Sequence, residues 1–274
     1  MAGKQDFLQR IAAAPLVFDG AMGTMIYQQG VFINACYDEL SVRQGELILE
    51  IHRQYADAGA DVLETNTFGA NRMKLAAYGL ADQVEAINRA GVRLARQAAG
   101  DEAYVGGSVG PCLPPDQPVE RSLTAAVREA FDEQVAALAA EGVDLVVLET
   151  FDRIAELQIA AAAAKKAGLP VLASFTIRAD HAPMMGLSPE EFATQRLNDD
   201  PNVDAIGLNC GTGPAGILEL LPGVMGNTRK CVVVMPNAGG PRELGGRMLY
   251  LNSHEYFTEY AKRFIEMGVR GVGG

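Results

Sequence analysis

Eight short runs of β-branched and small residues, set apart by longer helical stretches, restrict this chain more than any other feature. They read LVFDG (16–20), DVLETNTF (61–68), YVGGSVGP (104–111), DLVVLETF (144–151), PVLASFTI (170–177), DAIGLNCGT (204–212), CVVVMPNAG (231–239) and VRGVGG (269–274). None alternates cleanly between apolar and polar residues. Near-continuous apolar runs belong to strands buried on both faces, as in a parallel sheet.

The stretches between them carry helical spacing and helical punctuation. ELILEIHRQYADAGA (46–60) repeats its apolar residues at helical intervals. SLTAAVREAFDEQVAALAAEG (122–142) is expected to be capped by Ser122 and closed by Gly142. RIAELQIAAAAAKKAG (153–168) places Lys165 and Lys166 in its last turn, where a cation suits the helix dipole. SPEEFATQRL (188–197) opens with Ser188, Pro189 and Glu191, a capping box with proline at the first helical position. Strand and helix alternate through all 274 residues with no linker between them. The expected architecture is one α/β domain over 1–274, a (β/α)8 TIM barrel. No G-x-G-x-x-G follows the first run, which speaks against an open dinucleotide-binding sheet. The eighth run is followed by no helix. The expectation is a barrel lacking its last helix, cut at the end of strand eight, with further domains following in the full-length protein.

A formal net charge of −11 repels a phosphate backbone, so nucleic acid is not an expected partner. No apolar run reaches the length of a membrane span and the first residues lack a signal-peptide pattern, so no membrane is expected and the reading is cytoplasmic. Four widely spaced cysteines, Cys36, Cys112, Cys210 and Cys231, read as reduced thiols.

Barrel chemistry sits at the C-terminal ends of the strands. The tails of the runs offer Asp19 and Gly20; Glu64, Asn66 and Thr67; Gly107 and Ser108; Glu149 and Thr150; Ser174; Asn209 and Cys210; Asn237; and Gly273 with Gly274. No lysine or histidine stands at a tail, which leaves Schiff-base chemistry and an H-E-x-x-H site without their residues. His52 is expected mid-helix at a surface or half-buried position, and His181 and His254 fall in loops. A carboxylate in a buried ring needs a cation or a proton. With no basic residue at the tails, Asp19 and Glu149 call for an incoming ammonium group, or else for backbone N–H groups of nearby loops. The direction of Glu64 is open. Cys210 ends the run AIGLNC beside Gly-Thr-Gly-Pro at the mouth, whereas Cys231 begins its strand and belongs at the opposite end.

The motifs FDGAMGT (18–24), ETNTFGAN (64–71), GSVGP (107–111), LETF (148–151) and GLNC (207–210) resemble those of homocysteine S-methyltransferases, in the same order and over residues 16 to 274. YQQGVFINACYDEL (27–40) is similar to the methionine synthase branch and to fusions with methylenetetrahydrofolate reductase. The resemblance implies an eight-stranded barrel that binds homocysteine, activates it as a zinc-bound thiolate and methylates it to methionine. It implies a zinc ion held by three cysteine thiolates. Cys210 would be the first, and the other two would follow the Gly-Gly of strand eight, Gly273-Gly274 here. Zinc is then expected in the complete protein and weakly or not at all in this chain. Cys210 is the expected catalytic and metal residue. Asp19 and Glu149 are expected to hold the substrate ammonium. Backbone N–H groups around Gly107 and Ser108 would receive its carboxylate, Asn209 would orient the Cys210 loop, and Gly20 and Thr67 would line the pocket.

The methyl donor is expected to be methylcobalamin or methyltetrahydrofolate on a corrinoid or folate domain. An onium donor would call for aromatic residues at the mouth, where the sequence offers only Phe68, Phe151 and Phe175, with Phe68 itself expected in the core. Two other readings stay open: a metal-free lyase or isomerase using Asp19 and Glu149 as acid and base, and a non-catalytic docking module for a corrinoid domain.

Overall fold

Each apolar run pairs with its neighbours in parallel. A computed structural model describes residues 5–32, 34–114, 117–177, 187–237, 242–244, 247–249 and 253–274. Its parallel strands are β1 (Leu16–Val17), β2 (Val62–Glu64), β3 (Tyr104–Val109), β4 (Leu145–Phe151), β5 (Val171–Phe175), β6 (Ala205–Asn209), β7 (Cys231–Met235) and β8 (Gly271–Val272). The order around the sheet is β1-β8-β7-β6-β5-β4-β3-β2. The remaining seam is drawn together by a bridge between Phe18 and Val62. Two hydrogen bonds flank it, from Asp61 N to Val17 O (2.7 Å) and from Asp19 N to Val62 O (3.0 Å). The result is the expected (β/α)8 barrel.

Alternate residues of the strands divide into two apolar layers, which is why the runs look continuous. Leu16, Phe18, Val62, Tyr104, Leu145, Val147, Leu172, Ala205, Val233 and Met235 fill the inside. Leu63, Val105, Val146, Leu148, Val171, Ala173, Ile206, Leu208, Val232 and Val234 face the surrounding helices. The inside is narrow enough to need glycine beside larger neighbours. A Cβ on Gly106 would lie 2.8 Å from Val147 Cγ2, and one on Gly207 would run into Ser174, 2.7 Å from its Cβ.

The connecting helices include Gly45–Asp57, Val84–Ala99, Thr124–Ala140, Ile154–Lys166, Pro189–Asn198, Pro214–Met225 and His254–Glu266. Ser188 and Glu191 form the expected capping box. Ser122 does not cap the helix Thr124–Ala140; its hydroxyl turns to Glu120 instead. His52 is fully buried, not at the surface, on the face of the helix Gly45–Asp57 that also buries Ile48, Leu49 and Ile51. Burial pushes its pKa down to about 4. An antiparallel hairpin, Arg242–Leu244 with Arg247–Leu249, follows β7. Among the described residues no helix follows β8, and none is long and apolar enough to cross a membrane.

One helix precedes the first strand. Phe7–Ala13 is capped by Asp6, whose carboxylate accepts from Leu8 N at 3.0 Å and Gln9 N at 3.2 Å. Phe7 and Ile11 join the inner apolar layer. Phe7 meets Tyr104 edge-on at 5.6 Å between ring centroids, and the Tyr104 hydroxyl donates to Gln5 O at 2.7 Å. This helix plugs the N-terminal end of the barrel and leaves the opposite end for chemistry.

The tight inner packing makes a prediction. Gly207→Ala should overpack β5 against β6 at a cost of roughly 1–3 kcal/mol. In a chain of this size each kcal/mol lowers Tm by about 2–4 °C. Adding Ser174→Gly should recover most of the loss in a calorimetric melt; a double variant no better than the single would refute the contact.

Candidate active site

Strand alternation carries polar side chains to the C-terminal end of the inner layer: Glu64 on β2, Ser108 on β3, Glu149 on β4 and Asn209 on β6, with Asp19 just past β1. The register settles the direction of Glu64, two residues after inward-facing Val62. Asp19 is buried, and Glu64 and Glu149 are half-buried. Asp19 Oδ2 accepts from Glu64 N at 2.9 Å. Glu149 accepts from the Ser108 hydroxyl and shares a hydrogen bond with the Glu64 carboxyl.

Three acids gathered in one corner resist ionising together. Burial is the largest cause of the raised pKa of each. For Glu64 the charges of Glu149 and Asp19 add to it, and for Asp19 that of Glu149. For Glu149 the hydrogen bonds from Ser108 and Glu64 pull the other way, so this carboxyl is the one best supported as an anion. Among the described residues no lysine or arginine bears on any of the three. Glu64 Oε1 is buried without a partner.

Behind the acids stands a hydroxyl relay. Ser108 N donates to Thr65 Oγ1 (3.0 Å), and Thr67 Oγ1 donates to Ser108 O (2.7 Å). The two threonine hydroxyls are 2.6 Å apart. Thr67 is fully buried, and its carbonyl accepts from Gln134 Nε2 at 2.8 Å. The geometry therefore makes Thr67 a strut behind the site. The Ser108 N–H is already committed, so Ser108 offers its hydroxyl to Glu149 and not an amide to a carboxylate. Gly107 faces outward, where a Cβ would meet Leu138 Cδ1 at 3.0 Å. Gly20 gives room to the Tyr55 hydroxyl, 2.9 Å from where a Cβ would stand.

Cys210 lies across from Glu149 at the tip of β6. Cys210 and Thr150 have left-handed backbones, with φ of 55° and 62°. A β-branched residue in that region is a true outlier, and such conformations cost roughly 1–3 kcal/mol each. Asn209 holds both in place. Its Oδ1 accepts from Thr150 N (2.8 Å), and its Nδ2 donates to Thr150 Oγ1 (2.7 Å) and faces Cys210 Sγ (3.6 Å). Thr150 Oγ1 is 3.6 Å from the same sulfur. Burial raises the thiol pKa, and the hydrogen bond from Thr150 opposes it.

Other expectations fall out differently. Phe68 is 41% exposed over Gly110 instead of lying in the core. Phe151 and Phe175 belong to the outer apolar layer and not to the mouth. Cys36 and Cys112 are buried, and Cys231 is the first residue of β7, at the far end. Asn237 N donates to Thr212 O at 3.1 Å, tying the β7 tail to the Cys210 loop. His254 is exposed, and His181 lies outside the described residues. Among the described residues no three His, Cys, Asp or Glu side chains gather to hold a metal ion. Cys210 by itself does not fit a zinc site, which needs at least three protein donors.

A family model described as homocysteine S-methyltransferase matches residues 16–274. The chain belongs to the homocysteine S-methyltransferase family. Methionine synthase of Mycobacterium leprae (strain TN) is 33% identical over 291 residues, covering 98% of this chain and 24% of the relative. Methionine synthase of Mycobacterium tuberculosis (strain ATCC 25618 / H37Rv) is 32% identical over the same length and shares. The chain thus spans about a quarter of these curated relatives. Among solved structures, the metallated form of the homocysteine methyltransferase MmuM from Escherichia coli superposes with a TM-score of 0.78 at 26% identity, covering 99% of this chain and 92% of that one. Its apo form gives 0.72 at 25% identity, covering 98% and 93%. The carboxyl transferase domain of Rhizobium etli pyruvate carboxylase, 13% identical with a TM-score of 0.57, covers 100% of this chain and 44% of that one and shares the fold alone.

In this family member the acid corner should govern pH stability. A carboxyl whose pKa is raised by folding binds its proton more tightly in the native state. Its stabilisation is present below the unfolded value and lost as pH rises through the folded one. Glu64 starts from 4.5 and moves well upward. Glu64→Gln should therefore raise Tm at alkaline pH and flatten its fall between neutral and alkaline buffers. An unchanged slope in a melting series would refute the shared-proton corner.

Proposed function

We propose that the domain binds homocysteine by its ammonium group and presents its sulfur for methylation, giving methionine. The observation that carries this reading is a corner of three carboxyls with no cationic partner among the described residues, across the mouth from a thiol at the tip of β6. Membership of the family supports the substrate. An α-ammonium supplies the positive charge that Asp19, Glu64 and Glu149 lack, and Glu149, held by Ser108, is the anion best placed to receive it. The direction of the substrate follows: amino group toward β1, β2 and β4, sulfur toward Cys210 on β6.

Transfer forms a bond from the homocysteine sulfur to the methyl carbon as the bond between that carbon and the donor breaks. The donor's leaving atom keeps the electron pair, and the thiol proton passes to solvent beforehand. Asn209 and Thr150 fix the Cys210 tip beside which the sulfur would sit. Cys210 would supply one of the three protein donors that a zinc ion needs. Kinship with methionine synthases supports a methyl group delivered by a separate corrinoid or folate domain.

Calorimetric titration tests the recognition step. Homocysteine should bind more tightly than 4-mercaptobutanoate, which keeps the thiol and carboxylate but has no ammonium, by about 30-fold or more, since an unpaired buried charge costs roughly 2–5 kcal/mol. Glu149→Gln should erase most of the difference. Equal binding of the two ligands would reject the reading. A lyase or isomerase would turn over without any methyl donor, and a docking module would form no methionine with one.

A further inference from the structure

The two left-handed residues at the tips of β4 and β6 stand side by side, joined by one amide. That amide's orientation is fixed, because Thr150 N can only donate, so Asn209 must turn its oxygen toward it. The Asn209 NH2 then faces Thr150 Oγ1 at 2.7 Å and occupies it as a donor. The threonine's own hydrogen is left for another acceptor, and the atom within reach is Cys210 Sγ at 3.6 Å. The same NH2 lies 3.6 Å from Sγ. Two donors therefore converge on one sulfur, which accepts from both.

We propose that Thr150 is a positioning residue for the Cys210 sulfur: its left-handed backbone, pinned by Asn209, aims the hydroxyl at Sγ and holds that sulfur toward the mouth. Glycine would adopt the same φ without strain, and serine would supply the hydroxyl. Threonine supplies the hydroxyl and adds a methyl group that restricts its rotation. The inference deepens the reading of the site as a homocysteine site but is read out on the protein's own sulfur, so the two fail separately.

The test is alkylation of Cys210 by iodoacetamide at one fixed pH, without substrate, followed peptide by peptide so that Cys36, Cys112 and Cys231 are scored apart. Thr150→Val keeps the shape and removes the donor; it should slow alkylation at Cys210 by about fivefold, the weight of one ordinary hydrogen bond. Thr150→Ser should stay within about twofold of the parent by the same reasoning. A Thr150→Val variant that reacts at the parental rate overturns the proposal. So does a Thr150→Ser variant as slow as Thr150→Val, because the hydroxyl would then be irrelevant. Melting curves on the same samples show that each variant is folded. Failure of homocysteine to bind, with the alkylation pattern intact, would overturn the substrate and leave the role of Thr150 standing.

Discussion

Eight parallel strands can close on themselves only when their inward side chains fit the space they enclose. Here the fit is made by pairing bulk with absence: Val147 against Gly106, Ser174 against Gly207, and Phe18 with Val233 against Gly271. That packing sets the register, and the register decides everything at the mouth. Because side chains repeat every second residue, a slip of one position on β2 or β4 would turn Glu64 or Glu149 outward, into the helices. The apolar filling of the barrel and the polarity of its rim are thus one arrangement seen at two heights.

The rim is electrostatically incomplete. Burial favours neutral acids, and mutual repulsion favours it further, yet Glu149 is furnished with donors suited to an anion. Such a corner stores protons when empty and is completed by a ligand that brings a positive charge. In the proposed reading, preference for an amino acid over a plain thiol acid comes from this corner, without any side chain that reads the length of the substrate. The opposite side of the rim is organised for a different purpose, by backbone strain and amide hydrogen bonds, around a single sulfur.

Much of this is legible in the sequence, and the rest is hidden for identifiable reasons. The eight strands stand out because each is apolar on both faces. Asp19, Glu149 and Cys210 are found by reading strand tails, which requires only knowing where a strand stops. Glu64 is ambiguous until the register places it, since a carboxylate near a strand end can face either way. Thr150 stands among the strand tails, but its left-handed backbone leaves no mark, because threonine is a poor indicator of that conformation. Gly107 and Thr67 lie at strand tails, yet their surroundings make them a packing glycine and a buried strut. Ser122 shows the limit of cap signatures: a cap depends on where the helix begins, and Glu120 competes for the hydroxyl. His52 runs against the habit of placing histidine near water, and helical spacing alone does not reveal its burial.

The short helix Phe7–Ala13 has a further consequence. With its aromatic and aliphatic side chains wedged into the base, the barrel is closed at that end, and its rim is reached only from the other. Whatever enters must reverse out along the same route. An acceptor seated at the bottom would have to arrive before anything bulky settles over the opening, and its altered form could leave only after that visitor withdrew. A preferred order of arrival and departure would then be imposed by architecture, with no moving gate required.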